Sequence, residues 1–389
     1  MIKINRFITN TCFFPHTMGE FSKLGLKKEI LEVLSRLKFK KSFEVQDKIV
    51  PLAMQGKNVV FTSKTGSGKT LAYLLGFLGK INKKQGLQMI VLVPTRELCV
   101  QVGKEIKKVC DLLGISVGML YGGRDVPGDY RTLDKKNQIM VGTPGRLLLH
   151  VNEKKIKAGE VRYLVFDESD QMFDHGFYDD CVYLKRRVSK TSQIMFSSAT
   201  MTEKVKTFIE EEIVDYELLN IGELVPKNIV QEKLYCEKIE KNEILLKLLS
   251  ERKFKRAMIF CNTIIKSRNI AKFLKENKFN AKSLSSDLEQ QERLSHLNLF
   301  KAGKIRILVT TDVAARGLHI EKVDIIVNYD VPTREEFYIH RIGRTGRIDK
   351  KGYSLTFICP EDVDRFYNLE FEYQLKVKEI EKKLLMNEE

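Results

Sequence analysis

Short apolar runs rich in β-branched residues alternate with helical stretches along nearly the whole chain, the pattern of strands feeding crossover helices into a parallel sheet. Candidate strands fall at Asn58–Thr62, Met89–Val93, Ile139–Val141, Tyr163–Phe166 and Gln193–Phe196. A second set follows at Ala257–Cys261, Ile305–Thr310, Asp324–Asn328 and Tyr353–Ile358. The class is α/β with two sheets' worth of strands, and 389 residues exceed one ordinary core at about 100–200 residues per domain. The stretch Glu217–Val230 carries Gly222 and Pro226, has no sustained period and follows a helical segment at Glu203–Glu212, so the hinge is expected there. The chain then divides into an N-terminal extension (1–20), a first unit (21–218), a linker (219–229), a second unit (230–375) and the end of a C-terminal helix with its tail (376–389). That helix is expected within Asp362–Leu385, where apolar residues recur at helical spacing among mixed charges.

A hydrophobic share of 43%, a charged share of 30% and only eight prolines exclude a disordered or collagen-like chain. No run approaches the ~18 apolar residues that cross a bilayer, so no membrane association is expected. Thr9, Asn10 and Thr11 break the mildly apolar start and no cleavage signal follows, which argues against a secretory leader; Met18 is an alternative start. The seven cysteines are scattered and never in a C-x-x-C pair, which fits buried thiols in a reducing cytoplasm and not a zinc site. A net charge of +16 points to a polyanionic partner.

Ser63-Lys64-Thr65-Gly66-Ser67-Gly68-Lys69-Thr70 follows one apolar strand and opens a helix-forming run, the context a phosphate-binding loop requires. Gly66 and Gly68 let backbone N–H groups curl around phosphate oxygens, Lys69 reaches the β/γ-phosphates and Thr70 offers a hydroxyl to Mg²⁺. Ser63 stands where the generic pattern has glycine. Asp167-Glu168-Ser169-Asp170 follows the strand Tyr163–Phe166, at the edge where a parallel sheet meets its ligand. Asp167 is the expected Mg²⁺ ligand, directly or through water, and Glu168 the general base for an attacking water. His340-Arg341-Ile342-Gly343-Arg344-Thr345-Gly346-Arg347 clusters three arginines far downstream; Arg344 and Arg347 suit arginine fingers supplied by the second unit, so catalysis would need the two units to close.

Together with Pro94-Thr95-Arg96-Glu97-Leu98, Gly122-Gly123, Thr143-Pro144-Gly145-Arg146, Ser198-Ala199-Thr200, Phe260-Cys261-Asn262-Thr263, Gln290-Gln291-Glu292-Arg293 and Thr310-Thr311-Asp312-Val313-Ala314-Ala315-Arg316-Gly317, these motifs resemble, in order and spacing, the DEAD-box RNA helicase family of superfamily 2. The resemblance covers about residues 21 to 360. It implies two tandem RecA-like domains, each a mostly parallel sheet flanked by helices and joined by a short hinge. The implied activity is RNA-dependent ATP hydrolysis that separates short RNA duplexes or remodels ribonucleoproteins. It implies that Phe21 and Gln46 read the adenine, and that Thr65, Gly66, Ser67, Gly68, Lys69 and Thr70 hold the phosphates. Asp170, Ser198, Thr200 and His340 are implied to couple ATP binding to closure. Thr95, Arg96, Gly123, Thr143, Arg146, Gln290, Arg293 and Thr310 are implied to meet the RNA backbone, which carries little sequence information.

The chain departs from the family pattern at four places. Ser169 replaces an alanine, Ser42-Phe43 replaces a Pro-Thr pair before Gln46, His319 replaces an aspartate that contacts ribose, and Ser285-Ser286-Asp287 replaces a His-Gly-Asp turn. Weakened ATP binding is the expected consequence at His319. The alternative to a helicase is an ATP-gated RNA clamp with little unwinding, as the family is sometimes used. A monomer is expected, working on sequence-nonspecific RNA with possible protein partners.

Overall fold

A computed structural model describes residues 20–63, 66–123, 126–221, 228–315, 320, 323–346 and 351–382, without the side chain of Gln290. Seven strands form the first sheet: β1 (Asn58–Ser63), β2 (Met89–Leu92), β3 (Val117–Leu120), β4 (Ile139–Gly142), β5 (Tyr163–Phe166), β6 (Gln193–Ser198) and β7 (Tyr216–Ile221), in the order β3-β4-β2-β5-β6-β1-β7. Seven more form the second: β8 (Ile229–Tyr235), β9 (Ala257–Phe260), β10 (Ala281–Leu284), β11 (Ile307–Thr310), β12 (Ile325–Asn328), β13 (Gly352–Ile358) and β14 (Lys378–Glu379), in the order β10-β11-β9-β12-β13-β8-β14. Every pairing among them is parallel.

Parallel strands are joined by crossover helices, so both faces of each sheet are covered and the central strands read as unbroken apolar runs. Along β1, Val59 and Phe61 enter one core cluster and Val60 the opposite one; along β11, Ile307 and Val309 face one cluster and Leu308 another. This two-sided burial explains why the sequence reveals the central strands and misses β3, β7, β8, β10 and β14. Four of these lie at sheet edges, and β8 is flanked on one side only by the two-residue β14. An edge strand needs no continuous apolar run, and Tyr216–Ile221 buries only its last residue. Of the segment expected as a hinge, 217–221 belongs to β7 and 229–230 to β8, and its centre, 222–227, lies outside the described residues.

The C-terminal helix spans Val363–Glu372 and does not continue toward Leu385. Gln374 adopts a left-handed φ of 48°, Leu375 N–H closes onto Glu370 C=O at 2.9 Å, and the chain returns to pair Lys378–Glu379 with Glu232–Lys233. Among the described residues no helix is long and apolar enough to cross a membrane, and the six described cysteines are buried thiols.

Candidate active site and nucleic-acid interface

Strand order decides what meets at the C-terminal edge of the first sheet. β6 lies between β1 and β5, so the phosphate loop after β1 and the acidic box after β5 face each other across the end of β6. Strand spacing near 4.8 Å puts the two loops about 10 Å apart, room for a triphosphate. The pairs Phe166↔Phe196 and Thr62↔Ser198 then bring Ser197 beside Asp167. β2, β4 and β3 form the other half of the same edge. Thr95, Thr143 and the Gly122-Gly123 turn follow them, so the residues implied to meet nucleotide and RNA occupy adjoining halves of one rim.

The phosphate loop bends through Gly66 (φ 76°) and Gly68 (φ 89°) into the helix Lys69–Leu78. Gly68 has a second constraint: a Cβ there would lie 2.5 Å from Gln46 Nε2 and 2.9 Å from Phe43 Cδ2. Gln46 is buried, donates from Nε2 to the Gly68 carbonyl at 3.2 Å and accepts from Phe43 N–H at 3.0 Å, which ties the implied adenine reader to the loop. Phe21 is buried in the adjoining core cluster. Ser42 is also buried and donates to Asp47 Oδ1 at 2.5 Å, so the departure before Gln46 anchors the start of the helix Glu44–Met54. Ser63, at the place of a usual glycine, shares a 2.6 Å hydrogen bond with Ser67 and so braces the loop across its base. Lys69, only 6% exposed, donates to the Ser63 carbonyl at 3.3 Å. Thr65 lies outside the described residues, as do Arg347 and His319.

The acidic box is held by side chains from outside its own motif. Asp167 accepts from Ser197 Oγ at 2.7 Å and from Tyr73 Oη at 3.2 Å. Burial, followed by the charge of Asp167, raises the Tyr73 phenol well above its ordinary range, so the hydroxyl stays a donor. Glu168 sits in the left-handed region (φ 55°), rare for a residue with a side chain, and accepts from Gln171 Nε2 at 2.8 Å through Oε2. Ser169 donates to the Ser197 carbonyl at 2.6 Å, so the hydroxyl in place of alanine stitches the box to β6. Only three-dimensional proximity reveals Tyr73 and Ser197. Gln171 stands three residues beyond Glu168, the spacing at which two side chains on one helical face meet.

Asp170 is the junction between units. Its Oδ2 accepts from Thr200 N–H at 3.1 Å and Thr200 Oγ1 at 2.9 Å, and it lies 3.3 Å from His340 Nε2. Burial alone would raise the Asp170 carboxyl, but the adjacent His340 imidazole, then the Thr200 donor and the charge of Lys69, pull it down to about 2. Ser198 donates to the Thr200 carbonyl at 2.7 Å and shapes the turn that carries Thr200. Arg344, 8% exposed, comes from the second unit to the neighbourhood of Glu168. Burial pushes its guanidinium below the ordinary value and the charge of Glu168 opposes this. Arg334 Nη1 to Asp174 Oδ1 at 2.8 Å and Arg293 Nη1 to Glu97 Oε1 at 3.9 Å also join the units. Arg341, the first arginine of its motif, is 1% exposed and structural: it grips Asp312 at 2.6 and 2.7 Å and donates to the Asp330 carbonyl at 2.7 Å.

These residues fit a nucleoside triphosphate with its metal. Gly66 and Gly68 supply the left-handed turns of a phosphate loop, Lys69 and Arg344 bring a buried ammonium and a buried guanidinium from opposite units, and Thr70 and Asp167 carry hard oxygen donors suited to Mg²⁺.

On the other half of the rim, Thr95 caps the helix Arg96–Cys110 by accepting from Leu98 N–H at 3.2 Å. Gly123 (φ 80°) lies so close to Arg96 that a Cβ would overlap Nη1. Thr143 precedes the helix Pro144–Asn152, and Arg146 Nη1 donates to Asp129 Oδ2 at 2.9 Å. On the second unit Gln290 opens the helix Gln290–Lys301, and Arg293 Nη2 donates to the Ala314 carbonyl at 3.1 Å. Thr310 differs from the rest: it is fully buried at the end of β11, and its hydroxyl donates to the Thr311 carbonyl at 3.1 Å. Ser285 is fully buried, and Asp287 of the same turn pairs with Arg268.

Comparison with known proteins gives a consistent picture. The DEAD/DEAH box helicase family model matches residues 43–208, and the helicase conserved C-terminal domain matches residues 240–349. The DEAD-box ATP-dependent RNA helicase CshA of Geobacillus kaustophilus is 35% identical over 356 residues, 91% of this chain and 76% of that protein. The ATP-dependent RNA helicase CshA of Listeria monocytogenes is 37% identical over 349 residues, 89% of this chain and 67% of that protein. Among solved structures, S. cerevisiae Dbp5 bound to RNA and ADP BeF3 is similar with a TM-score of 0.83 at 27% identity, covering 94% of this chain and 96% of the other. A DEAD box protein from Methanococcus jannaschii is similar with a TM-score of 0.56 at 32% identity, covering 94% and 100%.

Proposed function

The chain belongs to the DEAD-box ATP-dependent RNA helicases, and from that premise we propose that it opens short RNA duplexes locally by closing its two RecA-like units around ATP and the RNA backbone. The observation that carries this reading is the junction between units, where Arg344 is buried near Glu168 and His340 lies 3.3 Å from Asp170. A site completed by groups from both units turns over only when they meet.

In this reading the loop amides from Gly66 to Thr70 and the Lys69 ammonium hold the β/γ-phosphates, with Thr65 completing the loop. Phe21 and Gln46 receive the adenine. Mg²⁺, held by Thr70 and by Asp167 directly or through water, would neutralise charge building on the phosphate oxygens. Ser197 and Tyr73 fix both oxygens of Asp167 so that it need not reorient. Gln171 occupies Glu168 Oε2 and leaves Oε1 to accept a proton from the attacking water. Arg344, together with Arg347, stabilises charge on the transferring phosphoryl group. Thr95, Arg96, Gly123, Thr143 and Arg146 on one unit, and Gln290, Arg293 and the backbone around the buried Thr310 on the other, would grip RNA phosphates and riboses.

Because closure serves both ligands, each must raise the other's affinity by the same factor. The two CshA relatives are named ATP-dependent RNA helicases, which supports unwinding over a clamp with little unwinding. We further propose a monomer acting in the cytoplasm; the buried thiols accord with a reducing compartment. Steady-state ATP hydrolysis with and without generic single-stranded RNA, run beside Glu168→Gln, tests the reading. RNA should stimulate the wild type, and Glu168→Gln should bind ATP without turning it over; hydrolysis indifferent to RNA would refute it.

A further inference from the structure

Arg146 is held by a group that an RNA contact does not itself require. Asp129, on the helix Val126–Leu133, is fully buried, and its Oδ2 accepts from Arg146 Nη1 at 2.9 Å and lies 3.0 Å from His150 Nε2. His150 is also fully buried, and its Nδ1 lies 3.2 Å from Glu153 Oε2. The four side chains form a line, Glu153–His150–Asp129–Arg146, across two helices. One of these helices follows the Gly122-Gly123 turn and the other opens after Thr143, so the line runs beneath the half of the rim read as the RNA face.

A carboxylate taken wholly out of water is costly unless donors satisfy it, and an apolar residue would fill the same volume without that cost. Asp129 is therefore best explained by what it holds. An arginine on a flexible stem loses rotamer freedom when it docks on a phosphate. A charge-assisted bond donated by Nη1 to Asp129 removes most of that freedom beforehand and fixes the guanidinium plane. His150, wedged between two carboxylates, fixes the carboxylate in turn.

We propose that Asp129, backed by His150, is a positioning residue that presets Arg146 for an RNA phosphate. The proposal rests on the reading of Arg146 as an RNA contact. Four forms of the full chain test it, namely wild type, Arg146→Ala, Asp129→Leu and the double variant, each assayed for affinity toward a labelled generic single-stranded RNA and for kcat and KM of RNA-stimulated ATP hydrolysis. Arg146→Ala should weaken RNA binding on the order of tenfold and lower the slope of log affinity against log salt by about one, as expected for a lost phosphate contact. Asp129→Leu should raise the KM for RNA by a similar factor with kcat nearly unchanged, and the double variant should bind no more weakly than Arg146→Ala alone. Where Asp129→Leu does not fold, Asp129→Asn carries the same cycle; a neutral acceptor makes the weaker bond, so the loss should be smaller and should vanish in the Arg146→Ala background. Losses at 129 and 146 that multiply in the double variant, or a fall in kcat at unchanged KM, would overturn the positioning role while leaving the RNA face intact. An Arg146→Ala variant that binds RNA as wild type does would instead remove the reading beneath it.

Discussion

His340→Ala removes one partner of the contact that joins the acidic box to the arginine-rich motif and leaves the rest of the nucleotide pocket in place. Asp170 keeps both Thr200 donors, at 2.9 and 3.1 Å, so the first unit should retain its local structure. The Asp170 carboxyl is held at about 2 against an ordinary 3.8, the direction that a favourable partner at this contact produces. The ionised form is thus favoured although burial works against it. His340 leads the favourable contributions, ahead of Thr200 and Lys69. Taking about 1–2 kcal/mol for such a buried polar contact predicts that closure weakens some 5- to 30-fold. The assay is ATP hydrolysis titrated with RNA. In His340→Ala, kcat/KM for RNA should fall by that factor, while nucleotide affinity without RNA stays near wild type. Asp170→Asn combined with His340→Ala should add little to Asp170→Asn alone, because both break the same link. RNA stimulation within twofold of wild type would show that the 3.3 Å contact does not couple the units, and the reasoning would fall.

Two other consequences concern the same rim. Because folding depresses the Asp170 carboxyl, its contribution to stability is complete above about pH 4 and is lost as pH falls toward 2, so acid unfolding followed by circular dichroism should be shallower over that interval in Asp170→Asn than in wild type. Gly68→Ala should raise the KM for ATP at least tenfold while nucleotide-free RNA binding stays unchanged: the left-handed backbone costs an L-residue about 1–2 kcal/mol, and the added methyl would lie 2.5 Å from Gln46 Nε2. Unaltered ATP kinetics would show that the Gly68–Gln46 approach is not part of the nucleotide site.

What the sequence reveals and what it hides follow from one distinction. The phosphate loop, the acidic box and the arginine-rich run are legible because each is contiguous, and the chemistry of each is carried by adjacent residues. The central strands are legible because burial on both faces demands unbroken apolar runs. Tyr73 and Ser197 are hidden: they reach Asp167 from residues 94 and 30 positions away, and only the strand order that puts β6 between β1 and β5 brings them together. Arg341 is hidden differently. It sits among arginines suited to phosphate, yet it ends 1% exposed, braced on Asp312, and sequence spacing alone does not separate it from Arg344. The departures Ser42, Ser63 and Ser169 each acquire a local hydrogen bond, which accounts for hydroxyls at those turns.

The central claim is that ATP and RNA act through one closure. Its most direct test is equilibrium affinity for a short single-stranded RNA with and without ADP-beryllium fluoride, paired with affinity for that nucleotide complex with and without RNA. The account predicts that each ligand tightens the other by the same factor, and that the factor shrinks in His340→Ala and Arg344→Ala. Affinities that are independent in the wild-type protein would contradict it.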